Sequence, residues 1–258
     1  MKTVILAGGR GSRLSEETIA RPKPMVEIGG IPIVVHIMRL YADAGERAFT
    51  LALGYRGDII KDYFVNFHIR RSDVTVKLRT GETVFANQST PDWTVEMIDT
   101  GADTLTGGRL KRLEHHLRPH GTFMLTYGDG VADIDVRRLI DFHRRHGRAA
   151  TVTAVRPPGR FGTMTLNGGR VHSFKEKPQA GEGWINGGFF VFEPAVFDYL
   201  AGDATILEQE PLERLAADGQ LMAYEHDGFW QPMDTVRDRD LLNDLWASGT
   251  APWRRPER

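Results

Sequence analysis

The sequence predicts an α/β fold: a mixed, mainly parallel sheet flanked by helices, with short strands added in its second half. Three observations carry this reading. The continuous apolar run Val4-Ile5-Leu6-Ala7 closes at Gly8, the pattern of a strand buried on both faces of a parallel sheet. Strand and helix signals then alternate as far as Val155, which places helices on both faces of one sheet. Beyond that point the apolar runs are short and divided by Gly and Pro turns.

Each element has its own signal. Pro32 opens a helix in which Val34, Ile37, Met38 and Tyr41 fall at i, i+3, i+4 and i+7, and Gly45 stops it. Phe49 to Leu53 reads as a strand and Asp58 to Phe64 as a helix. Arg70 to Pro91, with Asp73, Asn87, Gln88 and Ser89 among scattered apolar residues, has weak periodicity and reads as a mobile hairpin or long loop, a candidate lid or subunit contact. Leu110, Leu113 and Leu117 mark one continuous helix, Phe123 to Tyr127 a strand, Val136, Leu139 and Ile140 a further helix, and Thr151 to Val155 a strand. Thr163 to Leu166, Val171 to Phe174, Phe189 to Phe192 and Leu221 to Tyr224 read as additions that extend the same sheet and wall one side of a cleft. Leu241, Leu242 and Leu245 define a last helix, and "APWRRPER" reads as a polar tail that frays. No internal repeat is present, so residues 1–258 are expected to form a single domain, divided near residues 130 and 236.

Composition narrows the function classes. At 258 residues with 41% hydrophobic content, the chain can bury a sizeable core. Lys plus Arg (33) nearly balances Asp plus Glu (34), and a net charge of −1 argues against nucleic acid or an anionic membrane as partner. The expected partner is a small molecule or another protein. There are no cysteines, which excludes disulfides and cysteine metal sites. No secretory leader pattern opens the sequence and no run approaches the roughly 18 apolar residues that span a bilayer, so cytoplasmic residence is expected.

The loop "LAGGRGSRLSEETIARPKPM", Leu6 to Met25, follows the first strand directly. A dinucleotide fingerprint needs a third glycine where this chain has Leu14, and a Walker A loop needs Gly-Lys, a dipeptide absent from the sequence. What remains is a glycine turn whose backbone N–H groups can approach phosphate, with Arg13 and Lys23 as cations. Pro22 and Pro24 are expected to hold the Lys23 backbone extended. Two carboxylates stand in similar settings far apart in the chain: Asp129 in "FMLTYGDG" and Asp234 in "GFWQPMDT". Mg²⁺ takes oxygen ligands of this kind together with substrate phosphates, although a glycine-flanked Asp by itself is more often a turn residue.

"LAGGRGSRL", "RPKPM", "YGDG", "FKEKP", "INGGFF" and "WQPMDT" stand in the order found in sugar-nucleotide pyrophosphorylases, which the sequence resembles over nearly its whole length. "EETIARPKPMVEIGG", "DTGADTLTGGRLKRL" and "GFWQPMDT" resemble the cytidylyltransferase branch. The resemblance implies the Rossmann-like nucleotidyltransferase fold, with a nucleotide-binding half over about 1–130 and a sugar-binding half over about 131–236. It also implies CTP and α-D-glucose 1-phosphate as substrates, Mg²⁺ as cofactor, a homo-oligomer, and CDP-glucose as product for dideoxysugars of surface polysaccharides such as O-antigen.

Carried over by position, the resemblance places Leu6, Ala7, Gly8, Gly9 and Arg10 around base and ribose, and Gly11, Ser12 and Arg13 along the phosphates. Lys23 neutralises the reacting phosphates; Thr104, Arg109 and Gly128 are further nucleotide contacts; Asp129 and Asp234 form the metal pair. Lys177 becomes the ligand of the sugar phosphate, Glu176 the acceptor for sugar hydroxyls, and Asn186 and Gly187 line the sugar ring. Backbone carbonyls near Leu6 or Gly107 and the Arg109 guanidinium could supply the acceptor and donor that distinguish cytosine, but no side chain declares the choice, and CTP is implied mainly by the resemblance through "DTGADTLTGGRLKRL".

Other patterns carry less. His143 and His146, on a helix with Arg144, Arg145 and Arg148, read as a solvated cationic face, and His115-His116 is not read as a metal site. Trp184 and Trp230 read as packing or pocket walls. A thymidylyl- or uridylyltransferase is the nearest alternative, followed by a non-catalytic regulatory domain of the same fold, and then an NAD-dependent oxidoreductase.

Overall fold

The computed structural model describes residues 1–9, 21–86, 90–157, 163–167, 170–175 and 183–254, the segments 163–167 and 170–175 in backbone alone. In chain order, β1 (Lys2–Ala7) is followed by a two-stranded ribbon, β2 (Glu27–Ile28) and β3 (Ile31–Pro32), and by helix α1 (Ile33–Asp43). Then come β4 (Ala48–Leu53), α2 (Gly57–Val65), α3 (Phe67–Arg70), the hairpin β5 (Asp73–Lys77) and β6 (Glu82–Ala86), and β7 (Thr94–Asp99). α4 (Thr106–Arg112), α5 (Glu114–Leu117), β8 (Phe123–Tyr127), β9 (Gly130–Ala132), α6 (Val136–His146) and β10 (Ala150–Val155) lead into the hairpin β11 (Thr163–Asn167) and β12 (Arg170–Lys175). β13 (Ile185–Phe192), α7 (Glu210–Ala217), β14 (Leu221–His226), β15 (Trp230–Pro232) and α8 (Val236–Ala247) complete the series.

One seven-stranded sheet, ordered β14-β10-β13-β8-β1-β4-β7, runs through the molecule. Its strands are parallel except for β13, which is antiparallel to both β10 and β8. β1 lies near the middle, and its alternate residues feed two separate cores: Ile5 and Ala7 on one face, Val4 and Leu6 on the other. The first core is closed by α1, α6 and α8, the second by α4, α7 and the turn around Val196 and Phe197. This is the double burial that the apolar run predicts. No helix among the described residues is long and apolar enough to cross a membrane.

Several expectations are corrected. The third predicted helix is broken at Leu113 into α4 and α5, although Leu110, Leu113 and Leu117 are all buried as their spacing requires. Leu113 ends the first segment with a backbone near φ −88°, ψ 0°. β13 is no peripheral addition: it sits between β10 and β8 with Phe190 paired to Leu125. β11 and β12 pair with each other and form no rung of the large sheet. β7 and α7 had no sequence signal strong enough to place them. The final segment does not fray over 251–254: Ala251 and Trp253 are buried in the first core, Trp253 stacked on Phe229. A lone Trp among Arg and Pro has no periodicity to announce that it docks. Residues 255–258 lie outside the described residues.

His143 is likewise no surface residue. It is 2% exposed, with Nδ1 at 2.8 Å from the Thr151 hydroxyl and Nε2 at 3.1 Å from Glu193. The arginines beside it in sequence face solvent, so the helix is amphipathic and His143 falls on its inner stripe with Val136, Leu139 and Ile140.

Candidate active site

The C-terminal ends of β1 and β8 are adjacent in the sheet, and the chain leaving each forms the floor of a cleft. A cavity of about 330 Å³ is lined by Leu6, Ala7, Gly8, Gly9, Lys23, Thr104, Arg109, Gly128 and Asp129, with Pro24, Leu105, Thr106 and Tyr127 completing its wall. A second cavity of about 220 Å³ lies against Asp129, Asn186, Gly187, Trp230 and Asp234, with Tyr127 common to both. Nine of the residues assigned to nucleotide or catalysis from sequence therefore share one space, and the sugar-side pair Asn186 and Gly187 shares its neighbour. Arg10, Gly11, Ser12, Arg13, Glu176 and Lys177 lie outside the described residues.

Asp129 and Asp234 are 105 residues apart, yet one small ribbon joins them. β9 follows Asp129 and β15 precedes Asp234, and the two pair antiparallel with Gly130 opposite Pro232. The Met233 N–H donates to the Asp129 carbonyl at 2.8 Å, which locks the corner. Asp238 at the start of α8 holds the other side: its carboxylate accepts from the backbone N–H of Asp234 (3.1 Å) and of Thr235 (2.9 Å). Thr235 returns the contact as a capping box, donated to by the Asp238 N–H. The helix cap thus also orients a site residue.

Lys23 stands between the two carboxylates. Its Nζ donates to Asp129 Oδ2 at 2.7 Å and to Asp234 Oδ1 at 2.6 Å, and the residue is only 8% exposed. Burial alone lowers a lysine pKa, but attraction and hydrogen bonding from both aspartates override it and hold Lys23 above its ordinary value. Without a cation, two carboxylates that both reach one ammonium would repel each other strongly. The backbone around Lys23 is a correction: Pro22 is extended, but Lys23 to Met25 form a 3-10 turn, closed by Met25 N–H to Pro22 O at 2.8 Å. Proline's fixed φ suits the first turn of a helix as well as an extended chain.

Arg109 lines the cavity but spends its terminal nitrogens elsewhere. Nη1 donates to the carbonyls of Leu53 (3.0 Å) and Gly101 (2.7 Å) and to the Thr100 hydroxyl (2.9 Å), and Nη2 to the carbonyls of Gly8 (3.0 Å) and Ala102 (3.2 Å). The guanidinium ties the end of β4 and the segments after β1 and β7 into one floor. Gly8 has a reason the sequence did not disclose: a Cβ there would lie 2.2 Å from Nη1 of Arg109. Gly9, by contrast, meets nothing within 4 Å, as a backbone that receives a ligand should.

Sequence reasoning missed Tyr127 and Glu208. The Tyr127 hydroxyl donates to Glu208, the Thr106 hydroxyl donates to the same carboxylate at 2.6 Å, and Asn186 Nδ2 reaches the Tyr127 oxygen at 3.4 Å. Asn186 Oδ1 accepts from the Gly188 N–H at 2.8 Å, which fixes the direction of its amide. Gly188 itself has φ +80°, and a Cβ there would lie 2.5 Å from the Tyr127 ring. Trp230, read as a pocket wall, is one: its indole N–H donates to the Gly187 carbonyl at 2.7 Å.

The carboxylate pair is suited to a hard dication. An ammonium already fits between its oxygens, and among the described residues no group of three or more His, Cys, Asp or Glu forms a closed metal cage. Two protein carboxylates plus phosphate oxygens and water is the donor set Mg²⁺ takes.

A doubly covered sheet with a glycine loop, a buried lysine and paired aspartates at its C-terminal edge defines an enzyme that handles nucleotide phosphates. The chain belongs to the nucleotidyl transferase family, whose model matches residues 2–235. It is 52% identical over 254 residues to a glucose-1-phosphate cytidylyltransferase of Salmonella typhimurium, covering 98% of this chain and 99% of that one. It is 31% identical over 250 residues to a mannose-1-phosphate guanyltransferase of Aspergillus oryzae, covering 94% of this chain and 63% of that longer protein. Among solved structures, HddC from Yersinia pseudotuberculosis superposes with a TM-score of 0.70 at 22% identity, over 95% of this chain and 99% of that one, a likeness of fold.

Proposed function

We propose that the protein transfers the cytidylyl group of CTP to α-D-glucose 1-phosphate, giving CDP-glucose and pyrophosphate. The observation that carries the reaction class is the Lys23 bridge between Asp129 and Asp234, placed where the two cavities meet. The choice of cytosine and glucose is supported by the 52% identity over nearly the full length of both chains.

In this reading the larger cavity holds the nucleotide and the smaller one the sugar phosphate. An oxygen of the sugar phosphate attacks the α-phosphorus of CTP, a new P–O bond forms, and the bond to the bridging oxygen breaks with its electron pair leaving on pyrophosphate. No proton has to move, because the attacking oxygen is already ionised, so positioning and charge neutralisation supply the catalysis. This accounts for a site of cations and carboxylates without a general base. Gly9 allows close backbone approach, Gly8 and Gly128 make room for Arg109 and Pro24 beneath the cavity, Arg109 fixes the floor beneath the nucleotide, and Lys23 offsets charge on the phosphates. Arg13 is assigned a second cation at the phosphates, Lys177 the sugar phosphate, and Glu176, Asn186 and Gly187 the sugar hydroxyls. Mg²⁺, held by Asp129 and Asp234 with phosphate oxygens, would supply further neutralisation of the triphosphate and of the departing pyrophosphate.

We place the enzyme in the cytoplasm as a homo-oligomer that feeds dideoxysugar synthesis for surface polysaccharides. The test of the activity is competition of CTP, UTP and dTTP for one pool of glucose 1-phosphate with Mg²⁺. CDP-glucose should accumulate, with CTP preferred over UTP by at least about tenfold in catalytic efficiency, which is roughly 1.4 kcal/mol. Dominant UDP- or dTDP-glucose would overturn the base assignment, and no pyrophosphate release with any of the three would overturn the enzyme reading.

A further inference from the structure

Resting on the reading of Asp129 and Asp234 as a metal pair, we propose that Lys23 is a placeholder cation: in the nucleotide-free protein it excludes divalent metal from the two carboxylates. It gives the position up only when a triphosphate is present to receive it. The metal therefore enters with the nucleotide and not before it.

The geometry supports both halves of this exchange. With Nζ within 2.7 Å of one oxygen on each aspartate, the ammonium fills the gap a dication would need, and two cations cannot share it. Removing the ammonium with nothing to receive it would strand a buried charge, since Lys23 is only 8% exposed. Lys23 also lines the larger cavity beside Gly8 and Gly9. Its backbone is pinned by the 3-10 turn, which Pro22 precedes and Pro24 occupies, so movement is confined to the flexible four-carbon stem. A triphosphate in that cavity offers the ammonium a new anionic partner, and the Asp129 and Asp234 oxygens that the ammonium held then accept metal. The ammonium gains phosphate oxygens as it leaves the carboxylates, and the carboxylates exchange one positive charge for two, so neither group is left without a counter-charge.

The exchange predicts a gain of function that a purely catalytic lysine does not. Binding of Mn²⁺ to nucleotide-free protein is followed by the loss of its free-ion paramagnetic resonance signal, in wild type, Lys23→Met, Lys23→Gln and Lys23→Met/Asp129→Asn. Wild type should show no saturable site below about 1 mM, and the two single variants should each bind one Mn²⁺ at least about tenfold more tightly. The double variant should lose the gain. Mg²⁺ without nucleotide should likewise raise the Tm of Lys23→Met and leave that of wild type unchanged. Equal Mn²⁺ affinity in wild type and both single variants, or a gain that survives Asp129→Asn, would overturn the exchange. Sugar-nucleotide synthesis by wild type, measured in parallel, separates the two readings: synthesis without the metal gain rejects only the placeholder.

Discussion

Arg109 offers two terminal nitrogens to five acceptors from three segments, and this wiring changes what its replacement should do. A guanidinium that read the base directly would, when removed, narrow the preference for CTP over UTP. One that builds the floor should instead weaken both nucleotides together. Arg109→Met is expected to lower unfolding free energy by about 3 kcal/mol, because buried carbonyls lose their donor. In steady-state assays it should raise KM for CTP and UTP in parallel; a collapse of the preference at unchanged stability would restore the direct role. The resemblance marks Arg109 as a pocket residue, but four of its five acceptors are backbone carbonyls, which leave no trace in residue identity. His36 is a second buried group with a measurable signature. Burial and nearby Arg39 push it down to about 4, although its bond to the Ile28 carbonyl works the other way. Its Nε2 lies 2.9 Å from that carbonyl and its Nδ1 faces the Trp253 indole N–H at 3.4 Å, an arrangement made for the neutral ring. The unfolded chain takes up this proton near pH 6.5 and the folded one only near 4. Stability is therefore full above pH 6.5 and lost as pH falls toward 4, by about 3 kcal/mol. Urea unfolding at pH 7 and pH 4.5 should show a larger loss in wild type than in His36→Gln; equal losses would refute it.

At the level of elements, the link between the two cavities runs through Tyr127 at the end of β8. Its hydroxyl joins Glu208, which also receives Thr106 from α4, to Asn186 on β13, so nucleotide and sugar walls share one hydrogen-bond chain. Tyr127→Phe removes the hydroxyl and keeps the ring that packs against Gly188. The expected result is a KM for glucose 1-phosphate raised by about fivefold to twentyfold, equivalent to roughly 1–2 kcal/mol, with KM for CTP nearly unchanged; the opposite split would remove the link. Most elements of the first half are legible because each is a strand or helix with a clean period, and β8 falls on the predicted residues. β13 is the instructive failure. Its eight residues include Asn186, Gly187 and Gly188, which read as a turn, so only Phe189 to Phe192 registers as strand. The polar start of β13 belongs to the site, and function there overrides local propensity. Asp129 and Asp234 were visible as candidates, whereas the ribbon that joins them, three residues on each side, is too short to carry a periodic signal.

Across the whole molecule, the hairpin β5–β6 is one of the ribbons that stand outside the seven-stranded sheet. Val74 and Val76 share one face with Phe85 by register, and Val74, Val76, Val84 and Leu78 are exposed at 37%, 49%, 51% and 92%. A protruding ribbon with this much apolar surface fits a subunit contact. Light scattering should find an oligomer, and Val74→Asp/Val76→Asp should shift it toward monomer with the Tm of the single chain preserved; a wild-type monomer would contradict the proposal. Residues 70–91 had suggested a hairpin or loop from weak periodicity alone, and the weakness has a physical cause: a ribbon exposed on both faces has no inner side to pattern. The reversed strand β13 has a different consequence, one that concerns synthesis on the ribosome. β1, β4, β7 and β8 are complete once residue 127 has been made, but the free edge of β8 is capped only by residues 185–192. During translation of the intervening stretch the nascent sheet carries an open, apolar edge. The order in which the chain emerges thus leaves this edge unpaired until residue 192 has been made.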